Sequence, residues 1–565
     1  MNSQEQTQTQ SQAPSNQAVL TIKDLCVRLK SPTGSGAQGK ALVQGLNLHV
    51  NAGETLCIVG ESGSGKSLTS LSIMGLLPAE SLEVTSGSIE LEGRNLLTLN
   101  KGQMRALRAS QLAMVFQEPM TALNPVHKVG AQVEEVLKLH STMSASQRRT
   151  RVLEMLEAVH LPDIQRIYDS YPHQLSGGQR QRIVIAMALI LQPRLLIADE
   201  PTTALDVTTQ KQILSLIREL QEKHGTAVIF ITHDFGVVAE IADRILVMNK
   251  GQVVETGTRD QILANPVEAY TRMLVSSVPS LVPHSRELPQ GATILEVKAL
   301  EKTYPKAKKF LQKAELVHAA SDVTLTLKRG EILGIVGESG SGKSTVARCI
   351  VRLIDPSGGE IRLKGDDITT LSRGALLPLR KRIQIVFQDP YRSLNPRRRI
   401  GDSVIEGLLN YGMPRDQAMT KALEAMDLVG LPRQSLDRFP HQFSGGQRQR
   451  ICIARALVME PDVLVCDEAV SALDVSVQAQ VLELLEDVRQ RVGVGVLFIT
   501  HDLRVAAQIC DSIMVMKNGR VVEAGPVQQV LGAPEQAYTR ALIDAAPGRH
   551  WDFQNFRPVA ETAAA

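Results

Sequence analysis

Short runs of apolar residues punctuate the chain. Thr55–Val59, Leu195–Ala198, Ala227–Ile231 and Ile245–Met248 form one set, and Ile332–Val336, Val463–Cys466, Val496–Ile499 and Ile513–Met516 form a second. Continuous rather than alternating hydrophobicity over four or five residues predicts strands buried on both faces, as in a parallel sheet. The segments between them read as helices. Val129, Val133, Val136 and Leu137 fall at i, i+4, i+7 and i+8, one face of a helix. A helical subdomain is expected over residues 126–170 and again at about 398–438. The longest apolar stretch, Ile183–Leu191, predicts a core helix and is far short of the roughly 20 residues that cross a membrane. The chain reads as α/β.

The two sets are copies. Gly60-Glu61-Ser62-Gly63-Ser64-Gly65-Lys66-Ser67 returns as Gly337-Glu338-Ser339-Gly340-Ser341-Gly342-Lys343-Ser344, at an offset of 277 residues. Phe116-Gln117 returns as Phe387-Gln388 at 271, and Ser176-Gly177-Gly178-Gln179 as Ser444-Gly445-Gly446-Gln447 at 268. Asp199-Glu200 and Thr232-His233-Asp234 return at the same offset of 268. The second half of each copy is thus aligned without gaps, and one domain of about 250 residues stands in tandem rather than a short solenoid repeat. The expected boundaries are a tail at 1–17, a first domain at 18–278, a join at 279–292, a second domain at 293–545 and a tail at 546–565. The join is short and carries Pro279, Pro283, Pro289 and Gly291.

Composition removes several classes of function. Of 565 residues, 43% are hydrophobic and 21% charged, enough apolar material for more than one core. A net charge of +3, from 62 basic and 59 acidic residues, gives no support for a dedicated nucleic-acid binder. Met1–Gln17 is rich in Gln, Ser and Thr, lacks the basic and apolar regions of a secretory signal, and reads as a disordered tail. The six cysteines form no C-x-x-C pair; several lie in apolar runs and read as buried thiols in a reducing compartment.

The chemistry begins at Gly60–Ser67, which fits G-x-x-x-x-G-K-[ST] between an apolar strand and a helix starting near Ser67. Glycines let backbone N–H groups turn inward around phosphate oxygens, and the helix N-terminus adds partial positive charge. Lys66 then reaches the β- and γ-phosphates and the Ser67 hydroxyl binds Mg²⁺; Lys343 and Ser344 repeat these roles. Asp199 and Glu200 close a buried strand, where an acid is costly unless it meets a cation. The Mg²⁺ on Ser67 supplies one for Asp199, and Glu200 is placed to polarise an attacking water. Alone, the pair would read as an N-cap aspartate opening the next helix. Asp467 and Glu468 repeat it.

Leu175-Ser176-Gly177-Gly178-Gln179, standing 23 residues before Asp199, resembles the signature of the ATP-binding cassette (ABC) ATPases. Gln117 and His233, with Gln388 and His501, match that family's Q-loop and H-loop, and Ala204-Leu205-Asp206 and Ala472-Leu473-Asp474 its D-loop. The resemblance runs from about residue 18 to 545. It implies two tandem P-loop NTPase domains of ABC type, each with a helical subdomain, closing head to tail over two ATP molecules with Mg²⁺. Ser176, Gly177, Gly178 and Gln179 would then face the nucleotide on Lys343, and Ser444, Gly445, Gly446 and Gln447 that on Lys66. It also implies nucleotide contacts at Leu68 and Thr345, catalytic roles for Gln117, Gln388, His233 and His501, and metal contacts at Ser67, Gln117, Asp199, Ser344, Gln388 and Asp467. Tyr304 fits the family's adenine-stacking aromatic in the second copy; Leu29 holds that place in the first. The first copy continues Asp199-Glu200-Pro201-Thr202 and the second Asp467-Glu468-Ala469-Val470; both acids survive in both copies, so the resemblance implies activity at both sites, equal or not.

The Q-loops continue as Glu118-Pro119-Met120-Thr121-Ala122-Leu123-Asn124-Pro125 and Asp389-Pro390-Tyr391-Arg392-Ser393-Leu394-Asn395-Pro396. This extension resembles the oligopeptide/dipeptide/nickel importer ATPases. So do Pro266-Val267-Glu268-Ala269-Tyr270-Thr271 and Pro534-Glu535-Gln536-Ala537-Tyr538-Thr539, with Ala where that branch's second Pro stands. No cysteine follows Cys510, so the iron–sulfur cluster of some members is not expected. Fused cassettes of this kind resemble the ATPase subunits of glutathione and dipeptide importers. The resemblance implies two integral membrane permease subunits, a periplasmic or extracellular solute-binding protein, no nucleic acid, and a peripheral place on the cytoplasmic face of the inner membrane. The alternative is a soluble tandem ATPase acting on ribosomes or nucleic acid, whose ribosomal relatives carry a long charged linker and whose DNA-repair relatives carry zinc modules. A non-hydrolysing scaffold would lack Glu200 or Glu468. Lys306, Lys308, Lys309 and Lys313 read as a solvated loop, and Arg397-Arg398-Arg399 as a surface or a membrane-partner contact.

Overall fold

In a computed structural model, residues 18–30, 39–117, 122–203, 205–284, 286, 288–305, 316–471 and 473–559 are described. The Met1–Gln17 tail, the Lys306–Lys313 cluster, Glu118–Thr121 and the D-loop residues Ala204 and Ala472 lie outside them. The chain forms two compact units. One ends at Leu205 and resumes over Gln212–Arg272; the other takes Asp206–Lys211 and the chain from Met273 onward.

Each unit is built on a six-stranded sheet. In the first its order is Gln252–Thr258, Arg244–Asn249, Thr55–Val59, Ala227–Ile231, Leu195–Asp199 and Leu112–Val115. The pairs are parallel except the edge pair Gln252–Thr258 with Arg244–Asn249. The second unit orders Ile383–Val386, Val463–Asp467, Gly495–Ile499, Ile332–Val336, Ser512–Lys517 and Arg520–Pro526 in the same way. Every residue of Thr55–Val59, Leu195–Asp199 and Ala227–Ile231 is buried. A strand covered on both faces has no solvent side on which to place a polar residue, hence the unbroken apolar runs. The α/β reading and its parallel strands hold to within a residue or two at each end.

A second, antiparallel sheet has no clear signal in the sequence pattern. It comprises Ala41–Asn51, Ala18–Leu29, Leu82–Leu91 and Arg94–Asn95, with counterparts Leu316–Lys328, Thr293–Pro305, Gly358–Leu363 and Asp366–Asp367. Its central strand buries Leu20, Ile22, Leu25 and Val27, a spacing that breaks period two after Ile22. The cause is a register shift between Ile22 and Leu25, where Asp24 takes φ 47°. One inserted residue moves all later side chains to the other face of the pattern, which erases the alternation.

The helical subdomain of the first unit is Val129–His140, Ala145–Ala158 and Ile164–Asp169; that of the second is Ile400–Asn410 and Arg415–Leu428, followed by a 3₁₀ turn at Arg433–Asp437. Val129, Val133 and Leu137 are buried and Val136 half-buried, the face expected. The Ile183–Leu191 run lies mostly in the helix Gly177–Leu189, where Ile183, Val184, Ile185 and Ala186 are buried. Among the described residues no helix is long and apolar enough to cross a membrane.

The join is fastened to the second unit. The Arg286 guanidinium donates to Glu486 Oε2 at 2.9 Å and to the carbonyls of Ile509 and Gln508 at 3.0 and 2.9 Å. Beyond Ala545, Trp551–Asp552 and Arg557–Pro558 pair as a short ribbon around buried Phe553. The thiols of Cys57, Cys349, Cys452, Cys466 and Cys510 are buried, and Cys26 is half-buried.

Candidate active site in each unit

Strand Thr55–Val59 runs into Gly60, and helix Lys66–Ile73 starts behind Gly65, which caps it at φ 103° with no side chain to bond the leading N–H groups. Those N–H groups are the ones a helix start offers to an anion. Gly60 has φ 147°, and a Cβ there would stand 2.2 Å from the Met248 carbonyl oxygen, so the loop needs glycine at that corner. The buried Lys66 ammonium donates to the Gly60 and Glu61 carbonyls at 2.7 and 2.9 Å. Lys343 repeats this on Gly337 and Glu338 at 2.7 and 2.8 Å. Burial lowers the Lys343 ammonium below its ordinary value, against the pull of Glu468, Asp467 and Glu338.

The acids lie beside the loop. Ser67 Oγ is 3.4 Å from Asp199 Oδ1, and Ser344 Oγ is 2.9 Å from Asp467 Oδ1. Burial raises both aspartates above the ordinary carboxylate range, the serine hydroxyls pulling the other way. A buried carboxylate next to a hydroxyl is a set of hard oxygen donors short of positive charge, and it fits Mg²⁺.

Glu200 and Glu468 follow in a left-handed backbone conformation, with φ 48° and 51°. That costs a non-glycine residue about 1–3 kcal/mol. The turn is held by Glu200 N–H on the Ile231 carbonyl at 2.9 Å and Glu468 N–H on Ile499 at 3.0 Å. The Glu200 carboxylate gathers the rest of the site: Gln117 Nε2 at 2.8 Å, Thr203 Oγ1 at 3.1 Å and His233 Nδ1 at 3.1 Å. Burial pushes Glu200 up, but the hydrogen bond and charge of His233 outweigh it and hold the carboxyl at about 2. In the second unit Gln388 Nε2 lies 2.9 Å from Glu468 Oε2, and His501 Nδ1 3.6 Å from it. The acid, amide and imidazole picked from sequence therefore converge in each unit. Thr203 was missed, as was Ser471, whose hydroxyl sits 3.4 Å from Gln388 Nε2 and donates to the Glu468 carbonyl at 3.0 Å. The signal was present as a hydroxyl three residues after the glutamate in both copies.

The His501–Glu468 pair carries a pH dependence. Burial disfavours the His501 imidazolium, yet the adjacent Glu468 carboxylate raises it above 6.5; burial likewise opposes the Glu468 carboxylate, which His501 lowers below 4.5. A raised histidine stabilises the fold fully below 6.5 and loses that contribution as pH climbs through its folded value. A lowered glutamate stabilises above 4.5 and loses its contribution as pH falls through its folded value. Thermal melts of His501→Gln should fall furthest below the parent between about pH 4.5 and 6.5 and approach it in alkali. An equal gap at every pH would contradict the pairing.

Ser176 and Ser444 cap the helices Gly177–Leu189 and Gly445–Leu457. Each hydroxyl accepts the N–H of Gln179 or Gln447, at 3.2 and 3.4 Å, and each glutamine oxygen accepts the serine N–H in return. Both serines are exposed, and among the described residues no hydrogen bond ties either to the phosphate loop of its own unit. Gly178 and Gly446 follow in the first turn. Leu68 is half-buried against the core of its unit, and Thr345 takes the equivalent place. Tyr304 ends the strand Thr293–Pro305 with Lys302 Nζ 5.1 Å over its ring, while Leu29 ends the matching strand exposed and without an aromatic face. Of the second basic cluster, Arg398 pairs with Glu406 at 2.6 Å and Arg399 with Asp437 at 3.7 Å.

Comparison with known proteins places the chain in a family. The family model "ABC transporter" matches residues 43–203 and 320–471, and "Oligopeptide/dipeptide transporter, C-terminal region" matches 254–313 and 522–560. The chain is 47% identical over 539 residues to the glutathione import ATP-binding protein GsiA of Escherichia coli K12, covering 90% of this chain and 86% of that protein. It is 44% identical over 533 residues to the peptidoglycan transport ATP-binding protein YejF of Agrobacterium fabrum, covering 94% and 96%. The solved structure of cbiO1 from Clostridium perfringens, part of the ABC transporter complex cbiONQ, matches 45% of this chain and 93% of its own at 30% identity, with a TM-score of 0.37.

Proposed function

This chain belongs to the ABC transporter ATP-binding family, with the oligopeptide/dipeptide C-terminal region in both copies, and from that premise we propose how its two sites work and what they drive. It is an ATP-binding, ATP-hydrolysing subunit of an importer, and such subunits act with membrane permeases. Its cargo is peptidic: dipeptides, oligopeptides or glutathione. It works with two integral membrane subunits fed by a periplasmic or extracellular solute-binding protein, and it sits peripherally on the cytoplasmic face of the membrane. The cassettes are residues 18–278 and 293–545, joined by 279–292.

Each site binds ATP through its own phosphate loop. Lys66 and Lys343 leave the loop carbonyls for the β- and γ-phosphates. Ser67, Asp199 and Gln117, and Ser344, Asp467 and Gln388, would hold Mg²⁺, which when bound neutralises phosphate charge. Glu200 and Glu468 polarise the attacking water, and His233 and His501 fix those carboxylates. The signature of each copy completes the site of the other: the exposed Ser176 and Ser444 hydroxyls and the N–H groups behind them suit a γ-phosphate for the reason the phosphate loop does. Fusing the copies keeps the partner at roughly millimolar effective concentration.

One observation carries this reading: lysine, aspartate, glutamate, glutamine and histidine all come together in both units, with neither copy degraded. The import names of the relatives and the transporter C-terminal region argue against a ribosome or nucleic-acid ATPase. The test is to co-express the chain with its permease subunits, reconstitute them in vesicles and add binding protein loaded with peptide. ATP turnover should rise several-fold and labelled peptide should enter the vesicles. Stimulation by ribosomes or nucleic acid instead would overturn the importer reading.

A further inference from the structure

The motif Pro-x-x-Ala-Tyr-Thr is used by nothing described so far, and its tyrosine touches the phosphate loop. Tyr270, at the start of helix Ala269–Ser276, accepts the Glu61 N–H at 3.3 Å and donates to Glu61 Oε2 at 3.2 Å. Tyr538, at the start of helix Ala537–Ala545, does the same to Glu338, at 3.4 and 3.3 Å. Glu61 and Glu338 are the second residues of the two phosphate loops, about 200 residues distant in sequence from the tyrosines.

The tyrosine is delivered by a built scaffold. In the first unit Glu255 accepts the N–H groups of Val267 and Glu268 at 2.8 and 3.1 Å, and Arg272 donates to the carbonyls of Pro266 and Val267 at 2.9 and 2.8 Å. In the second, Glu523 and Arg540 make the same contacts on Glu535, Gln536 and Pro534, with Arg540 reaching Glu535 as well. The turn that carries the tyrosine is thus clamped from both sides in both copies. Burial pushes the Tyr538 hydroxyl up to about 12, so it stays a donor at neutral pH.

We infer that Tyr270 and Tyr538 are positioning residues of the ATP sites: each ties down the glutamate of its own phosphate loop, so that the carboxylate cannot swing toward the incoming triphosphate. A loose carboxylate beside bound phosphates repels them, and a held one leaves the loop N–H groups and lysine unopposed. The effect falls on nucleotide affinity, because the tyrosine touches the loop at its first corner. The inference rests on ATP binding at these loops.

The test uses the full chain carrying Tyr270→Phe and Tyr538→Phe, which removes only the hydroxyls. A fluorescent ATP analogue is titrated with Mg²⁺, and ATP turnover is followed. Loss of a hydrogen bond to a charged group should raise the dissociation constant and KM about three- to tenfold, with kcat within about twofold of the parent. In a Glu61→Gln, Glu338→Gln background the same phenylalanines should change affinity little, since no carboxylate remains to be restrained. Single variants should weaken one of the two sites and leave the other as an internal reference, which separates the effect from a general folding defect. Unaltered affinity, an equal loss in both backgrounds, or a fall in kcat at constant KM each overturns the inference. A parent chain that fails to bind the analogue would instead remove the ATP-site reading on which it rests.

Discussion

Replacing Glu200 and Glu468 together by glutamine should slow ATP hydrolysis by about 10² to 10⁴ while leaving ATP binding intact. The reason is local. Each glutamate meets glutamine and histidine at once, with contacts of 2.8 and 3.1 Å in the first unit. The amide keeps the size and one acceptor oxygen but loses the negative charge that draws a proton from water. It also loses the ion pair with histidine, so the imidazole gives up its charged partner. The measurement is phosphate release by the full chain with its permease subunits, beside equilibrium binding of labelled ATP. Turnover within about threefold of the parent would remove both residues from the base role. The single variants ask whether the sites are equal, because Pro201-Thr202-Thr203 follows one acid and Ala469-Val470-Ser471 the other.

Lys66→Ala and Lys343→Ala should each abolish tight binding at one site, reducing the stoichiometry of ATP from two per chain to one. Each ammonium is buried and held by two loop carbonyls at 2.7 to 2.9 Å. It is therefore poised for phosphate, whose charge would offset the burial that lowers Lys343. Removing it strips two charge-assisted hydrogen bonds from the bound nucleotide and leaves the loop carbonyls facing phosphate oxygens, a loss of about 100-fold or more in affinity. Calorimetric titration reads the count directly. Two tight sites surviving in either variant would contradict the assignment.

Much of this was legible in the residues. The parallel strands announce themselves because a strand hidden on both faces leaves no room for polar residues. The phosphate loop is legible because glycine at Gly60 and Gly65 answers to backbone angles other residues rarely adopt. The convergence of Gln117, Glu200 and His233 could be expected only through family resemblance, since residues 83 and 33 apart meet through sheet order rather than spacing. The antiparallel sheet was missed because the shift between Ile22 and Leu25 scrambles its alternation. Tyr270 stood out only as part of a motif; its closeness to Glu61 depends on the fold of a turn clamped by Glu255 and Arg272.

The left-handed turn at Glu200 and Glu468 bears on the history of the two copies. Glycine or asparagine would sit there at lower energy, so each copy carries a torsional cost at that position. A lobe released from its task after duplication would be free to drift toward that comfort. Neither copy has glycine or asparagine there, as two working hydrolytic sites would require.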